Sequence, residues 1–150
     1  MLEDRLNQDL KKSLLAGDTF TTAALRTLKS AVLYAKVAAG TRDQAMPDTE
    51  LITLLQKEAK KRQESADLYK QGGSEERAAN ELREKEIIQR YLPQQLSEAE
   101  VAAAVDAAVK QLGASGPAAM GAVVGAVRRQ TAGAADGALI ARLTKERLSQ

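Results

Sequence analysis

Apolar residues recur every three or four positions along most of the chain, which is the spacing of one face of an α-helix. Near the start, leucine occupies positions 2, 6, 10 and 14, and Gly17 then offers a left-handed helix cap. This pattern predicts a first helix over about residues 2 to 16. Six further helices are predicted, beginning near Asp18 or Thr19, Asp48 or Thr49, Ser74, Ser97, Ser115 and Asp136. Asp48 or Thr49 is expected to cap the third helix and Ser74 the fourth. No alternating strand pattern occurs, so the predicted fold class is all-α.

The residue composition and the length of the predicted helices both change at Pro93. Before it the predicted helices are long and rich in lysine, glutamate and glutamine, whereas after it they are short and rich in alanine, glycine and valine. Ser97 and Glu100 have the spacing of a capping box, so a new helix is expected to start there. The chain is predicted to form an N-terminal long-helix bundle over residues 1–92 and, after a short linker, a small three-helix C-terminal domain over residues 97–150.

Two charged side chains are predicted to lie beside the apolar face of the third helix. Glu58 and Arg62 stand next to the stripe that includes Leu55 and Ala59, and an ion near a core needs a partner. Either a Glu58–Arg62 pair or a pair between Arg62 and Glu84 on the following helix would supply one. We expect an internal ion pair here rather than a catalytic carboxylate.

The composition excludes much enzyme chemistry. Hydrophobic residues make up 44% of the chain but aromatic residues only 3%, so the core is expected to consist of leucine, isoleucine, valine and alanine. The chain has no cysteine and no histidine, which removes disulfides, thiolate nucleophiles, the usual zinc sites and an imidazole base. Phosphate-loop motifs are also missing. We therefore predict no catalytic residue, no metal and no cofactor.

The charges and hydropathy say little about location and partners by themselves. The formal net charge of +2 is too small to indicate nucleic acid or an anionic membrane by bulk electrostatics, so any such binding must rest on a local patch. The sequence contains no secretion-signal pattern and no run of about 18 apolar residues. We expect a cytoplasmic protein that does not bind membranes.

Lysines on the third helix form one candidate basic patch. Lys57, Lys60 and Lys61 would attract phosphate. Glu58 and Glu64 dilute that patch, and an ordinary solvated helix face is the simpler interpretation.

Arginines near the end of the sixth predicted helix form a second candidate patch. Arg128 and Arg129 suit the helix dipole there, and they could equally reach a phosphate. Arg142, Lys145 and Arg147 on the last helix would extend this surface only if folding brings the two helices together on one side.

Two glycines in the sixth predicted helix leave one of its faces without side chains. Gly121 and Gly125 lie four residues apart on one helix face, where either tight packing inside the domain or contact with RNA or a partner helix would use the missing side chains. We expect packing at Gly121, so that alanine there destabilises the fold, and leave both outcomes open at Gly125. Gly133 and Asp136 have a local explanation as a left-handed turn and a helix cap.

Two motifs carry a resemblance to a known family. The stretch KKRQESADLYKQGGSEERAANELREKEIIQRYLPQQLSEAE resembles the lysine-arginine helix, glycine break, glutamate-rich helix and Y-L-P-x-Q-L-S-E run of the GatB/YqeY family, here Tyr91 to Glu98. MGAVVGAVRRQTAGAADG resembles the family's M-G-x-V-M-G and G-x-A-D-G motifs. The positions that match are Met120, Gly121, Val123, Gly125, Gly133, Ala135, Asp136 and Gly137. The sequence thus looks like a stand-alone YqeY-like protein over essentially its whole length.

The resemblance implies a helical N-terminal bundle and a C-terminal domain similar to the tail of the B subunit of tRNA-dependent amidotransferase, which helps to hold tRNA. It also implies a link to carbon–nitrogen ligase activity with glutamine as amide donor, although the kinase-like domain and the glutaminase subunit of that enzyme are missing here. Relatives often carry lysine or arginine where this chain has Ala132 and Ala134, which weakens RNA contact at that turn.

Three functions follow from the resemblance and the candidate residues. We expect an accessory, non-catalytic module that binds tRNA or a tRNA-processing protein through its C-terminal domain. One alternative is an adaptor that docks a partner helix on the Gly121/Gly125 face, and a less favoured one is an amide-transferring enzyme. The sequence does not indicate the oligomeric state.

Overall fold

The computed structural model describes every residue from Met1 to Gln150, and all of its regular secondary structure is helical, which confirms the predicted all-α class. A short 3₁₀ helix, Pro117–Ala119, precedes the sixth of seven α-helices. The α-helices are α1 (Leu2–Leu15), α2 (Thr19–Ala38), α3 (Asp48–Gln71), α4 (Glu75–Gln89), α5 (Glu98–Leu112), α6 (Met120–Thr131) and α7 (Gly137–Leu148). The chain divides into two compact units, Met1–Leu92 and Pro93–Gln150.

The first unit contains α1 to α4 around an aliphatic core. Apolar faces at helical spacing supply that core, and its most deeply buried members are Leu6, Leu25, Leu28, Leu51, Leu55 and Ile88. All four aromatic residues of the chain, Phe20, Tyr34, Tyr69 and Tyr91, belong to this unit.

Helix starts in the first unit agree with the sequence at α2 and correct the caps expected for α3 and α4. The Asp18 carboxylate accepts a hydrogen bond from the Thr21 backbone N–H at 3.0 Å, as expected for the start of α2. α3 begins without a side-chain cap, because its N-cap residue is Pro47; Asp48, the first residue of the helix, accepts the backbone N–H of Leu2 at 3.0 Å. Ser74 precedes α4 but makes no capping hydrogen bond with its side chain either.

Tyr91 ties the end of the first unit to α1. Its hydroxyl donates to the Asp9 carboxylate at 2.6 Å, and the Arg5 guanidinium lies 4.8 Å from its ring centroid. Arg5 also donates to the carbonyl of Arg90 at 3.0 Å. Burial, together with the hydrogen bond to Asp9, raises the pKa of the Tyr91 hydroxyl well above its ordinary value. Tyr91 is therefore a structural anchor.

Arg62 lies at the centre of a carboxylate cluster between α3 and α4. Both ion pairs considered from the sequence are present: Arg62 Nη1 lies 3.6 Å from Glu58 Oε2, and its Nε lies 2.7 Å from Glu84 Oε2. The Nε contact is an ion pair without the alignment of a hydrogen bond. Glu81 is a third partner at 3.9 Å. Burial, reinforced by the charge of Glu84, raises the pKa of Glu81, while Arg62 opposes that rise.

The second unit packs α5, α6 and α7 around a small core of valine and isoleucine, chiefly Val101, Val105, Val123, Val127 and Ile140. The capping box is confirmed: Ser97 N–H donates to the Glu100 carboxylate at 2.7 Å and Glu100 N–H donates to the Ser97 hydroxyl at 3.2 Å. Asp136 caps α7 through the Leu139 N–H. Leu112, the last residue of α5, is 49% exposed.

The end of α6 differs slightly from the prediction. Ala132 itself adopts the left-handed conformation, with φ of 46°, and Gly133 follows with φ of 89°. The predicted glycine turn is therefore present, but it begins one residue earlier, at a residue whose Cβ is disfavoured there.

That the two units fold separately is a prediction. Gln94 and Gln95 are exposed and belong to no helix, and exposed non-helical segments are preferred sites of proteolysis. We expect brief digestion with a protease of broad specificity to cut between Leu92 and Ser97 and to release two stable fragments. Resistance of this segment, together with a single melting transition by every probe, would show one cooperative domain instead.

Candidate nucleic-acid interface

Two arginines at the end of α6 lie over glycines. A Cβ atom at Gly137 would lie 2.9 Å from Nη2 of Arg128, and one at Gly125 would lie 3.4 Å from Nη1 of Arg129. The missing side chains thus leave space in which the two guanidinium groups rest against the surfaces of α6 and α7. The sequence could not show the contact between Arg128 and Gly137, because these residues belong to different helices, α6 and α7.

Gly121 faces open space. No atom lies within 4 Å of the position that its Cβ would occupy, and the residue is exposed. The expectation that Gly121 packs tightly inside the domain is therefore wrong. The only group close to the Cβ position of Gly125 is the flexible end of Arg129, so the face that these two glycines share is not a packing surface of this unit.

Gly121→Ala is therefore expected to stabilise the second unit, by up to about 1 kcal/mol, because alanine is the better helix former and meets no neighbour. Thermal and urea denaturation followed by circular dichroism would measure the change. Gly113→Ala is the matched control: Gly113 also has open space around it, but its φ of 58° is left-handed, so alanine there should destabilise. A loss of stability in Gly121→Ala would contradict this assignment.

The basic residues of α7 do not all extend the surface at Arg128 and Arg129. Arg142 pairs with Glu98 at 2.8 Å and with Glu146 at 3.1 Å, and these hydrogen bonds raise its pKa. Lys145 is exposed and has no carboxylate within ion-pair distance.

Arg147, the other arginine of α7, donates to Asp106 on α5 at 2.7 Å. Folding thus brings both α7 arginines against carboxylates of α5, an arrangement that the sequence left open.

All five carboxylates of the second unit are engaged inside it. Three of them, Glu98, Asp106 and Glu146, form the ion pairs with the α7 arginines. The other two, Glu100 and Asp136, cap helices. The unit has six basic and five acidic residues, yet four of its cations have no carboxylate partner: Lys110, Arg128, Arg129 and Lys145. Sequence reasoning missed Lys110, because the count of charges does not show which ones are paired.

The lysine patch of α3 is smaller than its sequence suggests. Lys61 donates to Glu58 at 3.1 Å and so belongs to the cluster around Arg62. Lys57 and Lys60 are exposed and have no carboxylate within ion-pair distance. Two free lysines remain there, flanked by acidic neighbours.

Comparison with known proteins identifies the chain. A family model described as Yqey-like protein matches residues 3–148. The chain belongs to the YqeY-like family. This confirms the resemblance expected from the Y-L-P-x-Q-L-S-E and glycine motifs, and both units of this YqeY-like chain fall within the matched range. A search of curated proteins finds no match.

Two further findings bear on this YqeY-like chain. None of its helices combines the length and the apolar character needed to cross a bilayer. Its acidic side chains form no group of three or more suited to a metal ion.

Proposed function

We propose that the second unit binds tRNA, or a protein that processes tRNA, and that the chain is an accessory module rather than a catalyst. The observation that supports this proposal is the pair Arg128 and Arg129, two exposed guanidinium groups with no carboxylate partner in a unit whose acidic residues are all engaged. The family resemblance, through the amidotransferase tail, favours RNA over other polyanions and suggests a role beside glutamine-dependent carbon–nitrogen ligases.

Unpaired arginines are suited to phosphate for a physical reason. A guanidinium presents several N–H donors in a planar fork that matches two phosphate oxygens, and binding there requires no existing ion pair to break. Arg142 and Arg147 would have to give up their carboxylates first. We therefore assign the phosphate contacts to Arg128 and Arg129, with Lys145 as a weaker contributor.

Salt dependence of tRNA binding tests the proposal. Each phosphate contact contributes roughly 0.7 to 0.9 to the slope of log K against log salt concentration. Arg128→Gln combined with Arg129→Gln should therefore reduce that slope by about 1.4 to 1.8. Fluorescence anisotropy of labelled bulk tRNA, measured over a series of KCl concentrations, would give both the affinity and the slope.

A matched double variant separates a local contact from a general charge effect. Lys12→Gln combined with Arg42→Gln removes the same charge from exposed positions in the first unit, and we expect it to leave the slope unchanged. Equal losses in the two double variants would mean that binding follows net charge. Absence of tRNA binding by the parent chain would leave the proposal without support.

The open face at Gly121 favours a second candidate, an adaptor that receives a partner helix. A residue without a side chain, facing open space, permits close backbone approach. Binding through such an apolar face should respond little to salt and should be lost in Gly121→Leu, while Arg128→Gln leaves it intact. The opposite pattern supports RNA binding.

A further inference from the structure

Exposed apolar side chains are concentrated on the first two helices. Eight large apolar residues of the chain are strongly exposed, and five of them lie on α1 and α2: Leu14, Leu15, Leu33, Tyr34 and Val37. Leu33 lines the larger of two depressions between these helices, and Leu14 lines the smaller one.

A groove runs between α1 and α2 beside these residues. Its main depression has a volume of about 520 Å³, and the apolar side chains that line it are Leu6, Leu10, Val32 and Leu33. A second depression of about 170 Å³ lies between Leu14 and Thr22 and shares Arg26 with the first. The two depressions follow one another along the pair of helices, with Arg26 lining both, and together they are called the groove here.

The groove has the length of a helix. α2 lines it from Thr19 to Lys36, which corresponds to about 25 Å at 1.5 Å per residue. A partner helix of about 17 residues would fill it, with apolar side chains at every third or fourth position directed into the two depressions.

The charges along the groove have one dominant sign. The charged residues of α2 are Arg26, Lys29 and Lys36, all three line the groove, and the helix contains no acidic residue. Lys36 is paired with Glu3 at 2.9 Å, whereas Arg26 and Lys29 have no carboxylate within ion-pair distance. The other three helices of this unit carry both signs. A ligand complementary to the groove is therefore apolar along its centre and acidic along its edge.

We propose that this groove docks an amphipathic helix of a partner protein, with acidic residues of that helix paired to Arg26 and Lys29. The concave apolar floor accommodates the ridge of side chains on a helix, which neither a flat lipid surface nor an RNA backbone provides. The proposal concerns the first unit and does not depend on tRNA binding by the second.

A designed helical peptide provides the probe. The peptide has about 18 residues, with leucine at every third or fourth position, glutamate beside the leucines and alanine elsewhere. Its matched control carries lysine in place of each glutamate. Fluorescence anisotropy with the full chain should show binding of the glutamate peptide at least about tenfold tighter than binding of the lysine peptide.

Variants of the chain assign the binding to the groove. Arg26→Glu combined with Lys29→Glu should reverse the preference between the two peptides, and Leu33→Gln should weaken both. Lys57→Glu combined with Lys60→Glu makes the same charge change on the exposed side of α3, and Leu68→Gln removes an exposed leucine there. These two control variants should leave binding unchanged, and circular dichroism would confirm that all four variants fold.

Three results would overturn the proposal. The first is failure of the glutamate peptide to bind, or equal binding of the two peptides. The second is a homodimer in sedimentation experiments that Leu33→Gln dissociates, since a second copy would then cover the groove. The third is Leu33-dependent binding to vesicles of phosphatidylcholine and phosphatidylglycerol without binding of the peptide, which would assign the face to membranes.

Discussion

Replacing Arg62 with methionine is expected to lower the free energy of unfolding by about 3 kcal/mol at neutral pH, because it leaves three neighbouring carboxylates without their shared cation. The Arg62 side chain is 14% exposed and that of Glu58 is 11% exposed, so water screens this cluster only partly. Urea denaturation followed by circular dichroism would measure the loss. Lys60→Met, on the exposed side of the same helix, should change stability by no more than about 0.5 kcal/mol.

The stability loss caused by Arg62→Met should depend on pH in a defined direction. Burial and the charge of Glu84 raise the pKa of Glu81, and Arg62 opposes that rise. Without Arg62, the pKa of Glu81 therefore lies further above its value in the unfolded chain, so the folded state holds a proton that the unfolded state releases. A group with a raised pKa in the folded state contributes stability at low pH and loses it as pH rises. The loss in free energy of unfolding caused by Arg62→Met should therefore be smaller at about pH 4 than at about pH 7. A stability loss that does not change with pH would mean that it arises mainly from lost packing of the Arg62 side chain rather than from its lost charge.

Truncation of Tyr91 to alanine is expected to cost about 3 to 5 kcal/mol, since it removes a buried ring. Tyr91→Phe keeps the ring and leaves the Asp9 carboxylate without its donor, so we expect a smaller loss of about 1 to 2 kcal/mol. The contribution of the Tyr91 hydroxyl to the free energy of unfolding should also decrease at strongly alkaline pH. The raised pKa keeps Tyr91 protonated in the folded chain above about pH 10, where the unfolded chain loses that proton.

Urea titrations at about pH 8 and pH 11 would test this, because the advantage of Tyr91 over phenylalanine should decrease at the higher pH. Comparison with Tyr91→Phe cancels the titration of lysines and of the other two tyrosines. Tyr34→Phe is the control, since Tyr34 is 80% exposed and should show no such change. An advantage that grows with pH would contradict the assigned hydrogen bond to Asp9.

Helices and several caps were predictable because their signals are local. The Ser97–Glu100 box and the Asp136 cap each involve residues three positions apart, so the sequence alone specifies them. The cap expected at Asp48 or Thr49 is absent, because Pro47 is the N-cap residue of α3. Asp48 instead accepts the Leu2 N–H, 46 residues away in the chain, a contact that depends on how helices meet and that periodicity does not describe.

The candidate interface was less predictable than the fold for the same reason. The sequence indicated Arg128 and Arg129 as candidate phosphate-binding residues, but it did not show that neither has a carboxylate partner. Arg142 reaches Glu98 across 44 positions, and Arg147 reaches Asp106 across 41. The expected burial of Gly121 also failed, since spacing shows that two glycines share a face but not what that face meets.

The distribution of aromatic residues makes the two units separately observable. Every tyrosine belongs to the first unit and the chain contains no tryptophan, so intrinsic fluorescence of the protein arises from that unit alone. Far-ultraviolet ellipticity, in contrast, reports the helices of both units. A single unlabelled sample heated in both instruments therefore yields two melting curves, and a difference between their midpoints would show that the two units do not unfold in one cooperative step.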